Sequence, residues 1–157
     1  MKQEQYLEDL SIGQRFRSPS RVIEGDAIKQ FASQFDPQPF HLDDSAAQDT
    51  VFRGLAASGW HTAGLTMRLL VESEFKPAGG LVGAGLDELR WPRPTRAGDE
   101  LQIEAEVLEL RPMRSRPGQG IVKLKVTTFN QNQEVVQHYI GNLVVKQRGP
   151  TSDEPKA

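Results

Sequence analysis

The chain has 157 residues, 37% hydrophobic and 25% charged, with no cysteine and a formal net charge of −2. That length and balance fit one globular domain with one core, and exclude a fibrous or largely disordered chain. With no basic excess to displace counterions, neither nucleic acid nor an anionic membrane is an expected partner, and without thiols there are no disulfides, thiolate metal ligands or cysteine nucleophiles.

Met1 to Leu10 lacks the apolar core of a secretory leader, and no stretch approaches the roughly 18 to 20 apolar residues of a membrane helix. A cytoplasmic location is expected. Ile12 to Ile23 mixes β-branched and aromatic residues with Gly13 and Pro19, which predicts a short, interrupted edge strand. From Glu24, the residues Ile28, Phe31, Ala32 and Phe35 recur at helical spacing behind acidic Glu24 and Asp26, and this helix should stop at Asp36-Pro37. The two prolines of Asp36 to His41 predict a stiff, non-helical loop, followed by a brief helix over Asp44 to Gln48.

Ser58 is the expected N-cap of the longest helix, which runs to about Glu74 with Trp60, Ala63, Met67, Leu70 and Val71 on its apolar face. Gly64 on that stripe would admit a neighbouring backbone. Little charge lies elsewhere on the helix, so it should be buried on most sides. Four strands then follow, at Leu81 to Leu89, Glu100 to Leu110, Ile121 to Phe129 and Val135 to Val145, with a turn at Asn130 to Gln133. The order predicts a single α+β domain over residues 1–147, its antiparallel sheet wrapped around a long central helix, with a disordered polar tail at 148–157.

Three histidines are the scarcest groups able to move protons near neutral pH. His138, inside an alternating strand, reads as a sheet residue, and His61, in the first turn of the long helix, as a packing residue. His41 ends the proline-stiffened loop that also holds Asp36, so an acid and a base could be fixed toward one point. The alternative is that both residues merely cap local structure. Gly59 opens the long helix, where unpaired N–H groups can stabilise developing negative charge and a glycine lets a carbonyl approach. The plainer alternative there is a helix entry that needs a small residue.

The stretch FDPQPFHLDDSAA resembles the motif Gly-Asp-x-Asn-Pro-hydrophobic-His of the MaoC-like hydratases, which include the (R)-specific enoyl-CoA hydratases. Ala57-Ser58-Gly59 is similar to the family's Ala-His-Gly segment, and Leu89 to Leu101 to its Pro and Gly-Asp entry into the next strand. The resemblance implies a hotdog fold, with Asp36 and His41 as the acid-base pair and the Gly59 amide stabilising an enolate. It implies an acyl-CoA substrate to which water is added, or from which water is removed. Coenzyme A enters only as part of the substrate, and neither metal nor redox cofactor is needed.

Gln38, Ser58, Trp60, Arg93 and Arg96 are the candidate substrate-binding residues, with Arg111, Arg114 and Arg116 extending the basic stretch. Among the departures from the family pattern, Gln38 stands for the usual Asn, Ser58 for His, and Met67 for a frequent Ser. Two other functions remain open at this point. A non-catalytic acyl-thioester-binding or dehydratase partner subunit would account for the departures. A hotdog acyl-CoA thioesterase would need a carboxylate on the long helix, where only Glu72 and Glu74 occur, at its end. A homodimer or dimer of dimers is expected, because the sheet leaves an unpaired edge and the site needs an opposite wall.

Overall fold

A computed structural model describes residues 3–149. A 3-10 turn at Leu7–Asp9 precedes β1 (Arg15–Arg17) and β2 (Arg21–Val22). Four helices follow, α1 (Gly25–Phe35), α2 (Pro39–Leu42), α3 (Asp44–Ala47) and α4 (Gly59–Glu72). The chain then forms β3 (Val82–Arg90), β4 (Glu100–Pro112), β5 (Gln119–Phe129) and β6 (Val135–Lys146). The strands make one antiparallel sheet in the order β1-β4-β5-β6-β3, with β2 also pairing with β4. This is the α+β hotdog arrangement.

Strict alternation in β4 buries Leu101, Ile103, Ala105 and Val107 and turns Gln102, Glu104 and Glu106 outward. The buried set meets Leu69 and Leu70 of α4 together with Phe16 and Phe75 to form the main core. A smaller cluster of Ile23, Ile28, Leu55 and Ala57 joins α1 to the segment before α4. In α1, Ile28 and Ala32 are the buried residues, whereas Phe35 is exposed beside Phe31.

Two expectations about local structure are corrected. Asp36 to His41 is not wholly extended, because Pro39 begins the helical turn α2 and carries His41 within it. Proline suits a first helical position, where its fixed φ is already correct and its missing N–H would be unpaired anyway. The central helix also turns a different face inward. Thr62, Thr66, Leu69 and Leu70 are buried, while Trp60, Met67 and Val71 are 60%, 42% and 47% exposed and Gly64 faces open space.

β3 is exposed along almost its whole length, and its free edge ends the sheet. At the other terminus Arg148 is held by the Asp9 carboxylate and lies over the Tyr6 ring, so ordered structure continues past Gln147. Most of the expected tail, residues 150–157, lies outside the described residues. Among the described residues no helix is long and apolar enough to cross a membrane.

Candidate active site

The turn between α1 and α2 brings the acid-base candidates together. Asp36 caps α1 with its N–H on the Ala32 carbonyl at 2.9 Å; the Gln38 N–H then returns to the Asp36 carbonyl at 2.8 Å. The His41 N–H donates to the Gln38 carbonyl at 2.9 Å. With its backbone so fixed, the turn sets His41 Nε2 at 3.2 Å from Asp36 Oδ2. His41 is buried, its ring between Phe40 edge-on and Phe52. Its Nδ1 lies 2.6 Å from the carbonyl oxygen of Ala56, an atom that can only accept, so Nδ1 carries hydrogen and Nε2 is the nitrogen turned to Asp36.

Burial pushes the Asp36 carboxyl up, but the hydrogen bond from the Gln38 amide, with the Ser58 hydroxyl and His41 nearby, outweighs it and holds the group below the usual carboxylate range. Gln38 Nε2 donates to Asp36 Oδ1. Ser58 is fully buried and also caps α4, its hydroxyl accepting the Trp60 N–H at 3.3 Å. The next two amides, of His61 and Thr62, reach the Ser58 carbonyl at 2.9 and 3.1 Å, which leaves the Gly59 N–H without a partner among the described residues.

A cleft of about 280 Å³ joins these groups; Asp36, His41, Gly59, Trp60, Trp91 and Arg93 contribute to its walls. Its other polar surface includes the hydroxyls of Thr62 and Thr95, bonded to each other at 3.0 Å. The described carboxylates of the cleft reduce to Asp36. Glu72, at the far end of α4, is engaged by Arg21 and Arg68, which lower its pKa to about 2, and Glu74 lies beyond the helix.

Residues 9–130 match the family model described as MaoC like domain. The chain belongs to the MaoC-like dehydratase family. The crystal structure of a MaoC-like dehydratase from Rhodospirillum rubrum is similar at a TM-score of 0.89 and 53% identity, over 93% of this chain and 99% of that one. An uncharacterized protein of Bacillus subtilis, YdeM, is 32% identical over 139 residues, 88% of this chain and 96% of that protein. A 3-hydroxybutyryl-CoA dehydratase of Methylorubrum extorquens is 32% identical over 111 residues, 71% of this chain and 69% of that protein.

Two of the positions at which this MaoC-like chain departs from the family pattern, Gln38 and Ser58, both engage Asp36, whereas Met67 lies outside the cleft. Trp60 stands at the mouth, edge-on to Trp91 with ring centroids 5.5 Å apart. Arg93 also lines the cleft and pairs with Glu134 at 3.2 Å. Arg96 is turned elsewhere: its guanidinium donates to the carbonyls of Phe52, Gly54 and Leu55 and so holds the loop that carries Phe52 to His41.

The remaining arginines are not gathered at the cleft. Arg111 is at the distal end of β4, ten residues past Leu101, or roughly 33 Å along the strand; Arg114 and Arg116 lie in the hairpin beyond. His61 stacks on Phe31 with ring centroids 4.7 Å apart, and His138 is half-buried between β5 and β3. Two contributors escaped the sequence reading, Trp91 and the Ala56 carbonyl. Trp91 lies in the stretch Leu89 to Leu101 that resembles the family's strand entry, but nothing local shows that it returns to Gly59.

Proposed function

We propose that the protein is a hydratase and dehydratase acting on an enoyl or 3-hydroxyacyl thioester of coenzyme A. The observation that carries this reading is the Asp36–His41 pair, in which a carboxylate biased toward ionisation faces an imidazole nitrogen of fixed orientation at the wall of a cleft. In the hydration direction Asp36 takes a proton from water while the water oxygen bonds to Cβ. The π electrons move toward the thioester carbonyl, His41 Nε2 delivers a proton to Cα, and the Gly59 N–H donates to the developing enolate oxygen. Dehydration is the same path reversed. Gln38 and Ser58 align and stabilise the Asp36 carboxylate, Trp60 flanks the entrance, and Arg93 is the candidate for the phosphates of coenzyme A.

Asp36→Asn and His41→Gln should each lower turnover of an enoyl-CoA by at least about a hundredfold without unfolding the protein. Wild-type turnover in either folded variant removes that residue from the mechanism. Deuterium incorporation at Cα tests proton delivery separately.

The functional unit is a homodimer paired through β3. A long exposed edge strand offers unpaired N–H and C=O groups that a two-fold partner satisfies in both copies at once. Val82 and Leu86 of β3 and Trp60, Met67 and Val71 of α4 are exposed apolar residues that such a partner would cover. It would also wall the open side of the cleft. Light scattering should give a dimer at low micromolar concentration, and a fully active monomer would overturn the assignment.

A further inference from the structure

Behind the cleft, the seam between α4 and the sheet holds four polar side chains where aliphatic ones would ordinarily fill a core. Trp91 Nε1 donates to Gln137 Oε1 at 2.8 Å, Gln137 Nε2 donates to Thr66 Oγ1 at 2.9 Å, and Thr66 Oγ1 meets Thr128 Oγ1 at 2.7 Å. Thr66, Thr128 and Gln137 are all fully buried. The line crosses the seam, from the loop after β3 to the inner face of β6, then α4, then β5.

Beyond it the same seam opens again into a crevice of about 240 Å³, lined by Met67, Leu70, Leu86, Val126, Tyr139 and Leu143 among others. Gly83 and Gly85 face open space there and leave it unfilled. The two cavities are close: Thr62 of the cleft, Thr66 of the polar line and Leu70 of the crevice succeed one another at four-residue spacing on the buried face of α4, about 6 Å apart along its axis. Gln137 precedes Tyr139 on one face of β6, and Thr128 follows Val126 on one face of β5, so the polar line stands directly at the end of the crevice.

We propose that Trp91, Gln137, Thr66 and Thr128 form a bar that divides one inter-layer seam into a catalytic cleft and a separate apolar crevice, and thereby sets the enzyme for short-chain acyl groups. The inference rests on the acyl-thioester reading above. A tail of a few carbons stops against Thr62, Thr95 and Trp91. A longer one would have to break a network in which each member holds another in place, and would strand buried donors and acceptors in doing so.

The test compares four-carbon with eight-carbon substrates and ligands. Wild type should hydrate crotonyl-CoA with kcat/KM at least about tenfold above 2-octenoyl-CoA, the scale on which a filled pocket discriminates methylenes. Calorimetry should show butyryl-CoA binding more tightly than octanoyl-CoA by a similar factor. Thr66→Ala combined with Gln137→Ala removes the bar and should reduce or invert both ratios. The replacement Thr66→Val, Gln137→Leu, Thr128→Val keeps the volume without the hydrogen bonds. It guards against loss of fold in the shaved variant and, because the space stays filled although the hydrogen bonds are gone, should weaken the four-carbon preference less than the shaved variant does.

Wild type that uses or binds both lengths equally overturns the bar, as does a folded shaved variant with unchanged preference. Length-selective binding without turnover keeps the bar and sinks the hydratase reading. No binding of either acyl-CoA sinks both.

Discussion

Trp91 lies across Gly59 so closely that a Cβ on residue 59 would stand 2.6 Å from its Cε2 and 2.7 Å from its Cζ2. The glycine at the head of α4 is thus required by the indole packed on it, quite apart from any approach of substrate. Gly59→Ala should displace Trp91, lower kcat/KM by at least about tenfold and change the tryptophan emission. Adding Trp91→Ala removes the clash, so the double variant should be no worse than Trp91→Ala alone. An additive double variant would place the effect of Gly59 in the helix rather than in this contact.

The acid limb of kcat/KM should follow Asp36. Since the group is held below the usual carboxylate range, its ionised form persists as pH falls through that range, and activity should decline only below it. Ser58→Ala removes one of the polar groups that lower it and should move the acid limb toward higher pH. Ser58→Thr, which keeps the hydroxyl, should not. The alanine variant also loses the α4 cap, worth about 1 kcal/mol, and a pH profile separates the two effects. An unmoved acid limb in Ser58→Ala would show that the hydroxyl serves only the helix.

Arg93 and Arg96 should behave differently although three residues apart. Arg96→Lys cannot span the carbonyls of Phe52, Gly54 and Leu55 and should destabilise the fold by about 1 to 3 kcal/mol in a denaturant titration. Arg93→Ala should leave stability nearly unchanged, since its pair with Glu134 is exposed, but raise KM for an acyl-CoA more than for the matching acyl-pantetheine. Equal KM effects on both substrates would remove Arg93 from phosphate recognition.

His61 has a buried Nδ1 with no hydrogen-bond partner among the described residues, and burial lowers its pKa. The unfolded chain accepts a proton near pH ~6.5 that the folded chain resists, so stability is present above that pH and is lost as pH falls toward the lowered folded value. His61→Phe keeps the stack on Phe31, removes the unpaired nitrogen and should raise stability by about 1 kcal/mol near neutrality. The gain should widen on acidification. A pH-independent difference would mean that His61 does not titrate between these states.

Local pattern was legible wherever one side chain in two faced the core. Leu101 to Val107 announced β4 by alternation, and the run from Glu24 to Phe35 announced both ends of α1. It misled in α4, because periodicity ranks Met67 above Thr66, yet Thr66 is the residue turned inward. Its hydroxyl is matched by Gln137 and Thr128, more than sixty positions away, and that pairing leaves no trace in the helix itself. The same limit applied at the site. Asp36 and His41 lie five residues apart and could be paired on the page, whereas Trp91 and the Ala56 carbonyl reach it only through the fold.

In the mechanism proposed above, the Ala56 carbonyl bears on how the catalytic cycle closes. By occupying Nδ1, it leaves Nε2 as the His41 nitrogen that faces Asp36 and can exchange a proton with it. Addition of water by the proposed mechanism would spend the Nε2 proton on carbon and place a new one, taken from the water, on the carboxyl 3.2 Å away. One short transfer from oxygen to nitrogen then recharges the enzyme, without a donor from solution. Turnover should therefore be indifferent to buffer concentration at constant pH and ionic strength.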